Sequence, residues 1–307
     1  MSVAPPTSYA RALGADQRCR VLIADVATGA TEAVYESRDI LFEAPNWSLD
    51  GDLILNGAGL LWRLTPTAGE TPRRIPLDGV PELNNDHVLD PDGAHVYVSA
   101  NDWHIYRAPL TGGRVRRVTA EHGRRMHFLH GVSPDGEKLA YIAITPVGDE
   151  FFGAAGHVHT VSIDGLQDTA LTSGTKPSDG SEYSPDGRWI YFNTEIFSET
   201  PGHAQIARMR PDGRDLEQLT FDERVNWFPH LAPTGTHAVY LSYPPGTVGH
   251  PADLPVQLRI VRDGVWADAA VLAELFGGQG TINVNSWSPD GRRFAYVDYP
   301  VGEDSTL

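Results

Sequence analysis

Cysteine is almost absent from this 307-residue chain, which contains only Cys19. A single cysteine excludes an intramolecular disulfide and a thiolate metal cluster. Basic residues are also few, since 24 lysines and arginines stand against 40 aspartates and glutamates, for a formal net charge of −16. Because such a charge repels a phosphate backbone, we expect no nucleic-acid partner.

Long hydrophobic runs are missing too, and no stretch approaches the roughly 18 apolar residues that a membrane helix needs. Residues 1–17 lack a basic segment followed by an apolar run of signal-peptide length. We therefore expect a cytoplasmic protein without a membrane partner. Core material is plentiful, because 41% of the residues are hydrophobic, with 7 Trp, 11 Tyr and 10 Phe. This composition is ordinary for a soluble globular chain.

A short turn recurs six times along the chain. In most copies Pro presets a turn dihedral, Asp bonds to nearby amides and Gly accepts positive φ, so each copy predicts a hairpin turn. Each copy is followed by an apolar or alternating segment that is typical of a β-strand. The six copies are residues 47–51, 89–93, 132–136, 183–187, 231–235 and 287–291.

The spacing of these turns predicts a β-propeller. They lie about 42 to 56 residues apart, with four strand patterns per repeat, and such a period is typical of propeller blades. Two stacked β-sandwiches are the alternative, but sandwiches do not repeat one hairpin in this way. The chain opens with two outer-strand patterns, at residues 20–26 and 32–35, and closes with inner-strand patterns up to residues 293–298.

We therefore predict an all-β fold, in which a single six-bladed propeller spans residues 1–307 and residues 1–18 form an N-terminal extension. The N-terminal outer strands must pair with the C-terminal inner strands to complete the last blade. This pairing closes the ring and removes exposed sheet edges.

The repeat, with its aromatic-Ser-Pro-Asp-Gly core, resembles the TolB-like or PD40-type β-propeller repeat over nearly the whole chain. More specific stretches are similar to a cytosolic subgroup related to oligogalacturonate lyase propellers. The resemblance implies a propeller with lyase-like activity on a sugar. The lyase family's closely spaced His motif for metal has no match in this sequence. The stretches that carry the resemblance are residues 84–87, 226–230, 249–253, 256–259 and 275–284.

Polar residues precede the predicted innermost strands of successive blades, on the face where propellers usually bind ligands. Neutral imidazole and carboxylate groups are ordinary ligands of divalent metals. We therefore predict a site for Mn, Zn or Ca at the central funnel. Its ligands would be His87, His130, Glu182 and His230.

The same residues also permit chemistry without a metal. His87, His130 or His230 would then abstract a proton, and Arg259 would hold a substrate carboxylate. Long loops at residues 145–156, 195–204 and 243–254 would wall a pocket for a small molecule or an oligosaccharide. The expected substrate-binding residues are Asn85, Asp86, Glu182, Asn226, Trp227, His250, Gln257, Gln279 and Asn283.

These observations favour a carbohydrate-active propeller with lyase-like β-elimination on an acidic or oxidised sugar. Asp86 and Glu182 leave glycoside hydrolysis open, whereas no Gly-x-Ser-x-Gly motif indicates serine hydrolysis. The alternative is a non-catalytic propeller that binds a ligand or a protein partner, in which aromatic side chains would dominate binding. A peptidase-associated propeller that has lost its hydrolase domain is a more remote third hypothesis.

Overall fold

Six antiparallel blades surround a central channel in the computed structural model, which describes residues 10–148 and 154–302. Within these residues no α-helix occurs, and none of their segments is a helix that could cross a membrane. Blade 1 comprises Phe42–Trp47, Leu53–Gly57, Leu60–Leu64 and Arg73–Ile75. Blade 2 comprises Leu83–Leu89, His95–Ala100, Ile105–Pro109 and Arg116–Arg117. Blade 3 comprises Met126–Val132, Lys138–Ile144, His157–Ser162 and Asp168–Ala170.

The remaining blades follow in chain order around the ring. Blade 4 comprises Ser178–Tyr183, Ile190–Thr194, Gln205–Met209 and Glu217–Gln218. Blade 5 comprises Val225–Leu231, His237–Tyr243, Leu254–Arg262 and Val265–Gly277. Blade 6 comprises Arg293–Asp298, Cys19–Asp25 and Thr31–Ser37. Two short segments, Leu77–Asp78 and Gly113–Arg114, pair in parallel beside blade 2.

Blade 6 joins the two ends of the chain. Arg293–Asp298 pairs with Cys19–Asp25, which pairs in turn with Thr31–Ser37. The predicted closure is therefore confirmed. Its innermost segment departs from the prediction, because residues 282–287 are irregular and contribute one bridge, between Trp287 and Phe294.

The repeated turns connect the innermost strand of each blade to its second strand. In all six, a backbone N–H at the serine position donates to a carbonyl at the first residue of the second strand or at the residue before it, over 2.8 to 3.0 Å. The Ser184 hydroxyl also donates to Asp186 over 2.7 Å, and Ser288 donates to Asp290 over 2.6 Å. The aspartates of these turns are thus structural, as the sequence predicts.

Apolar side chains fill the spaces between neighbouring blades. In the part of the chain that the structure describes, six buried clusters occur, one at each junction of two blades. At the closure, Cys19 and Ala295 of blade 6 pack in the same cluster as Phe42 and Leu53 of blade 1. Burial of this kind stabilises a fold by about 25 cal/mol per Å² of apolar surface. Packing therefore holds the blades radially about the channel.

Bulges interrupt the innermost strands of blades 1, 4 and 5 near the mouth of the channel. In each, two residues of the innermost strand lie opposite one residue of the second strand. The bulges contain Ala44, Gly180 and Phe228, which have φ values of 53°, 63° and 53°. Because an extra residue reverses the alternation of a strand, side chains on either side of a bulge do not follow simple two-residue spacing.

Candidate functional site

A cavity of about 360 Å³ occupies the mouth of the channel, and we call it the funnel. Among the described residues, three carboxylates line it, namely Glu43, Asp86 and Asp179. Six side-chain amides face it, namely Asn56, Asn84, Asn85, Asn101, Gln279 and Asn283. Its aromatic walls are Trp103, Phe128 and Phe228. The funnel thus combines many hydrogen-bonding groups with apolar ring faces, which is typical of a small-molecule site.

An ion pair crosses the funnel from blade 3 to blade 4. Nε2 of His130 lies 3.0 Å from Oδ1 of Asp179, and Nδ1 of His130 donates to the carbonyl of Asn283 over 3.4 Å. Burial alone would lower the pKa of His130, but Asp86 and Asp179 raise it to about 9. Burial would raise the pKa of Asp179, yet the hydrogen bond from His130 lowers it. His130 is therefore a cation at neutral pH.

Asp86 is the most unusual carboxyl group of the funnel. Burial raises the pKa of Asp86 to about 6, although the His130 cation acts against that rise. Its side chain accepts a hydrogen bond from Asn84 over 3.1 Å. A carboxyl group with a pKa near neutrality can both accept and release a proton, so Asp86 is suited to acid–base chemistry.

A second ion pair lies at the rim and involves the N-terminal segment. Nη1 of Arg11 lies 3.0 Å from Oε1 of Glu43, and the guanidinium stacks 4.8 Å from the ring centroid of Tyr299. Arg11 also donates to the backbone carbonyl of Gln279. Burial raises the pKa of Glu43, while Arg11 and Asn85 act in the opposite direction.

The glycine-rich loop at residues 277–280 contributes Gln279 to the wall of the funnel. Gly280 has a φ of 88° and lies so close to Glu43 that a Cβ would stand 2.4 Å from Oε1. The carbonyl of Gly280 accepts from the N–H of Ala44 over 2.7 Å. Gln279 accepts a hydrogen bond from His250 Nδ1 over 2.5 Å. The loop therefore ties the closure of the ring to blade 1.

Six of the residues predicted from the sequence line the funnel together. They are Asn85, Asp86, His130, His250, Gln279 and Asn283. Nε2 of His250 lies 3.8 Å from Asp179, and burial lowers the pKa of His250.

One of the three predicted wall loops, at residues 145–156, lies partly outside the described residues.

The structure does not bring the four predicted metal ligands together in one group. No three His, Cys, Asp or Glu side chains within residues 10–148 and 154–302 are grouped so that they could hold a metal ion. Of the four proposed ligands, Glu182 and His230 contact each other, whereas His87 and His130 bond to other partners. Nε2 of His87 lies 3.1 Å from the carbonyl of Ile54 between blades 1 and 2, and burial lowers its pKa to about 4.

His230 and Glu182 form a separate buried pair. Nδ1 of His230 lies 2.7 Å from Glu182, and Nε2 contacts the carbonyl of Ile282. Glu182 also accepts hydrogen bonds from the N–H of Leu231 and from Asn285. Because these bonds join blades 4 and 5 to the irregular strand of blade 6, the pair has a structural place outside the funnel.

The other nominated residues lie outside the funnel as well. Arg259 donates to the carbonyl of Ala269 over 2.6 Å on the outer part of blade 5, so it does not face a substrate in the funnel. Gln257 bonds to Glu274 over 2.9 Å at an exposed position. Asn226 is fully buried among side chains of blades 4 and 5. Trp227 packs behind His250, with the ring centroids 4.5 Å apart.

Sequence reasoning did not identify Arg11, Glu43 or Asp179 as site residues. Glu43 and Asp179 each stand just before a bulge, where the usual repeat alignment does not apply. The Asp179-Gly180 pair was a usable signal, because glycine accepts the positive φ of a bulge. For Arg11, no local pattern distinguishes it from an ordinary surface arginine.

Comparison with known proteins gives relatives that cover nearly the whole chain. An uncharacterized protein of Agrobacterium fabrum is 39% identical over 292 residues, which cover 93% of this chain and 94% of that protein. A solved structure assigned to TolB from Agrobacterium tumefaciens superposes with a TM-score of 0.82 at 38% identity, covering 93% of this chain and 99% of that one. No family model matches the chain.

More distant structures share the fold alone. Oligogalacturonate lyase in complex with manganese has a TM-score of 0.57 at 16% identity, covering 87% of this chain and 74% of that one. TolB from Acinetobacter baumannii has a TM-score of 0.53 at 17% identity, covering 95% of this chain and 66% of that one. The described residues of this chain contain no group of three or more His, Cys, Asp or Glu side chains that could hold a metal ion such as the manganese of that lyase.

Proposed function

We propose that the funnel of this chain, which belongs to the TolB-like β-propeller family, binds a small, polyhydroxylated ligand of the carbohydrate class that carries no acidic group. The observation that supports this proposal most directly is the lining of the funnel. Six amides and three aromatic rings face one cavity of about 360 Å³.

The amides suit a ligand with many hydroxyl groups. Each Asn or Gln has two N–H donors and an acceptor that takes two bonds, so it can bind a hydroxyl beside its bond to the protein, such as that from Asn85 to Glu43. The rings of Trp103 and Phe128, whose centroids lie 5.9 Å apart, offer an apolar surface to the C–H face of a sugar. A ligand of one or two sugar units fits the available volume.

The charges of the funnel disfavour an acidic ligand. Three carboxylates face two cations, Arg11 and His130, and each cation already contacts a carboxylate. Arg259, the residue that was expected to hold a substrate carboxylate, lies on the outer part of blade 5. As far as residues 10–148 and 154–302 are concerned, a uronate would therefore meet like charge without a free cationic partner, which costs binding free energy.

Titration with D-glucose, D-galactose and D-galacturonate tests this proposal. We expect saturable binding of at least one neutral sugar and weaker binding of the uronate. Phe128→Ala removes a funnel wall and is expected to weaken binding about tenfold. Phe221→Ala is the matched control, because that ring is 75% exposed and does not line the funnel. Tighter binding of the uronate, or equal effects of the two variants, would contradict the proposal.

Acid–base chemistry on the bound sugar is a second candidate function, and the pKa of Asp86 near 6 favours it. Elimination on oligogalacturonate, which the fold shared with oligogalacturonate lyases makes the reaction to test, needs an acidic ligand and therefore competes with the first proposal. The measurement is the ultraviolet absorbance of an unsaturated product. Product that disappears in Asp86→Asn would support catalysis, whereas no product from the wild-type protein would reject this reaction.

A further inference from the structure

Arg11 inserts its guanidinium into a box at the rim of the funnel. Oε1 of Glu43 lies 3.0 Å from Nη1, and Oδ1 of Asp253 lies 3.6 Å from Nη2. The ring of Tyr299 lies beneath the guanidinium, and the backbone carbonyl of Gln279 accepts from it. Two carboxylates, an aromatic face and a carbonyl thus surround one cation.

The walls of this box are held by bonds that do not involve Arg11. The Tyr299 hydroxyl donates to the carbonyl of Phe42 over 2.9 Å, and Asn85 donates to Glu43 over 3.3 Å. Glu43 is only 5% exposed on the innermost strand of blade 1. Gly280 closes the box from the loop side, where a Cβ would clash with Glu43 and Tyr299.

The chemistry of the box selects a cation. A buried carboxylate is costly without a positive partner, and an aromatic face adds attraction for guanidinium or ammonium. A hydroxyl in the same place would leave the charge of Glu43 uncompensated. Arg11 comes from the segment before the first strand, which Gln17 anchors through hydrogen bonds to Asp253 and to the carbonyl of Tyr299.

We propose that this box is a cation subsite of the funnel, which receives the protonated amine of a ligand in place of Arg11. The inference rests on the proposed binding of a polyhydroxylated ligand and narrows that ligand to an amino sugar. Arg11 competes with the ligand for Glu43, so its removal strengthens binding of the amine.

Sugar titrations of Arg11→Ala test the ligand class, with D-glucosamine, N-acetyl-D-glucosamine and D-glucose as probes. Glucosamine is expected to bind this variant about tenfold more tightly than it binds the wild-type protein, and about tenfold more tightly than the acetylated sugar. The double variant Arg11→Ala/Glu43→Gln is expected to lose the preference for the amine. Arg11→Lys, which keeps a competing cation, is the matched control. Equal affinity of Arg11→Ala for the amine and its acetylated form would overturn the inference.

A thermal-shift experiment with methylguanidinium tests the subsite without any sugar. Millimolar methylguanidinium is expected to raise the Tm of Arg11→Ala and to leave the wild-type protein and the double variant unchanged. Absence of that rise would overturn the cation subsite even if sugars bind. A rise without binding of any sugar would support the subsite and reject the sugar ligand, so the two proposals fail separately.

Discussion

Nε2 of His130 lies 3.0 Å from Oδ1 of Asp179, and this pair joins blade 3 to blade 4 across the funnel wall. Asp86 of blade 2 adds a third charge to the same group and raises the pKa of His130. Three neighbouring blades are therefore coupled electrostatically at the place where the ligand is proposed to bind.

The His130 pair predicts a pH dependence of stability. The pKa of His130 is about 9 in the folded protein against 6.5 for an ordinary histidine. Because the folded value is raised, the stabilisation is fully present below pH 6.5 and is lost as the pH rises through about 9. We expect the free energy of unfolding of the wild-type protein to fall by on the order of 2 kcal/mol more than that of His130→Gln across this window. Urea unfolding at several pH values measures the difference, and parallel curves for the two proteins would refute it.

Adding one methyl group at Gly280 is expected to lower the free energy of unfolding strongly. Gly280→Ala places a Cβ 2.4 Å from Glu43 Oε1 at a φ of 88°. Gly69 has a φ of 87° and no heavy atom within 4 Å of the added Cβ, so Gly69→Ala is a matched control. We expect Gly69→Ala to cost about 1 kcal/mol from backbone strain alone and Gly280→Ala to cost about 3 kcal/mol from strain and overpacking. Equal losses in chemical denaturation would show that the loop does not press on Glu43.

The ion pair between Arg20 and Asp298 is expected to stabilise the closure of the ring. Its guanidinium donates to both carboxylate oxygens of Asp298, over 2.9 and 2.5 Å, in the strand pair that closes blade 6. Arg20→Ala leaves Asp298, which is 4% exposed, without its cation. We expect a loss of about 2 kcal/mol of unfolding free energy. Arg214→Ala, at a side chain that is 81% exposed, is expected to change little. If both variants unfold at the same urea concentration, this pair does not stabilise the closure.

A substitution of His230 is expected to lower the free energy of unfolding without changing the affinity for a sugar. His230→Gln removes the partner that lies 2.7 Å from the buried Glu182, so the free energy of unfolding is expected to fall by about 2 kcal/mol. Affinity for a neutral sugar is expected to stay unchanged, because neither residue lines the funnel. His237→Gln, on the partly exposed end of a second strand, is the control. A tenfold loss of sugar affinity in His230→Gln would place the site deeper in the channel than proposed.

The fold was predictable because its cause is local. A Ser-Pro-Asp-Gly turn forms a hairpin through its own dihedrals and hydrogen bonds. The closure was predictable because the chain begins with outer strands and ends with inner strands of one blade, so the strands that contain Arg20 and Asp298 must pair to complete it. The innermost strand that the sequence predicts for blade 6 is irregular. Residues 282–287 bond to Glu182, His230 and neighbouring strands rather than forming a regular ladder with Arg293–Asp298.

The site was predictable only in part because bulges and distant contacts decide it. Asp86 and His87 are adjacent in sequence, yet Asp86 lines the funnel and His87 bonds between blades. The extra residue at Ala44 reverses the alternation beside Glu43, although alanine carries no sequence signal for positive φ. Arg11 meets Glu43 only after the ring has closed, so no local pattern predicts their contact.

A crystal structure of the protein with the most tightly binding sugar of the titration panels tests the central claim most directly. The account predicts density for the sugar in the funnel, beside Trp103 and Phe128, with hydroxyl groups bonded to the amides of Asn85 and Asn283. Sugar bound on another surface of the propeller, with the funnel unchanged around Arg11 and His130, would contradict it.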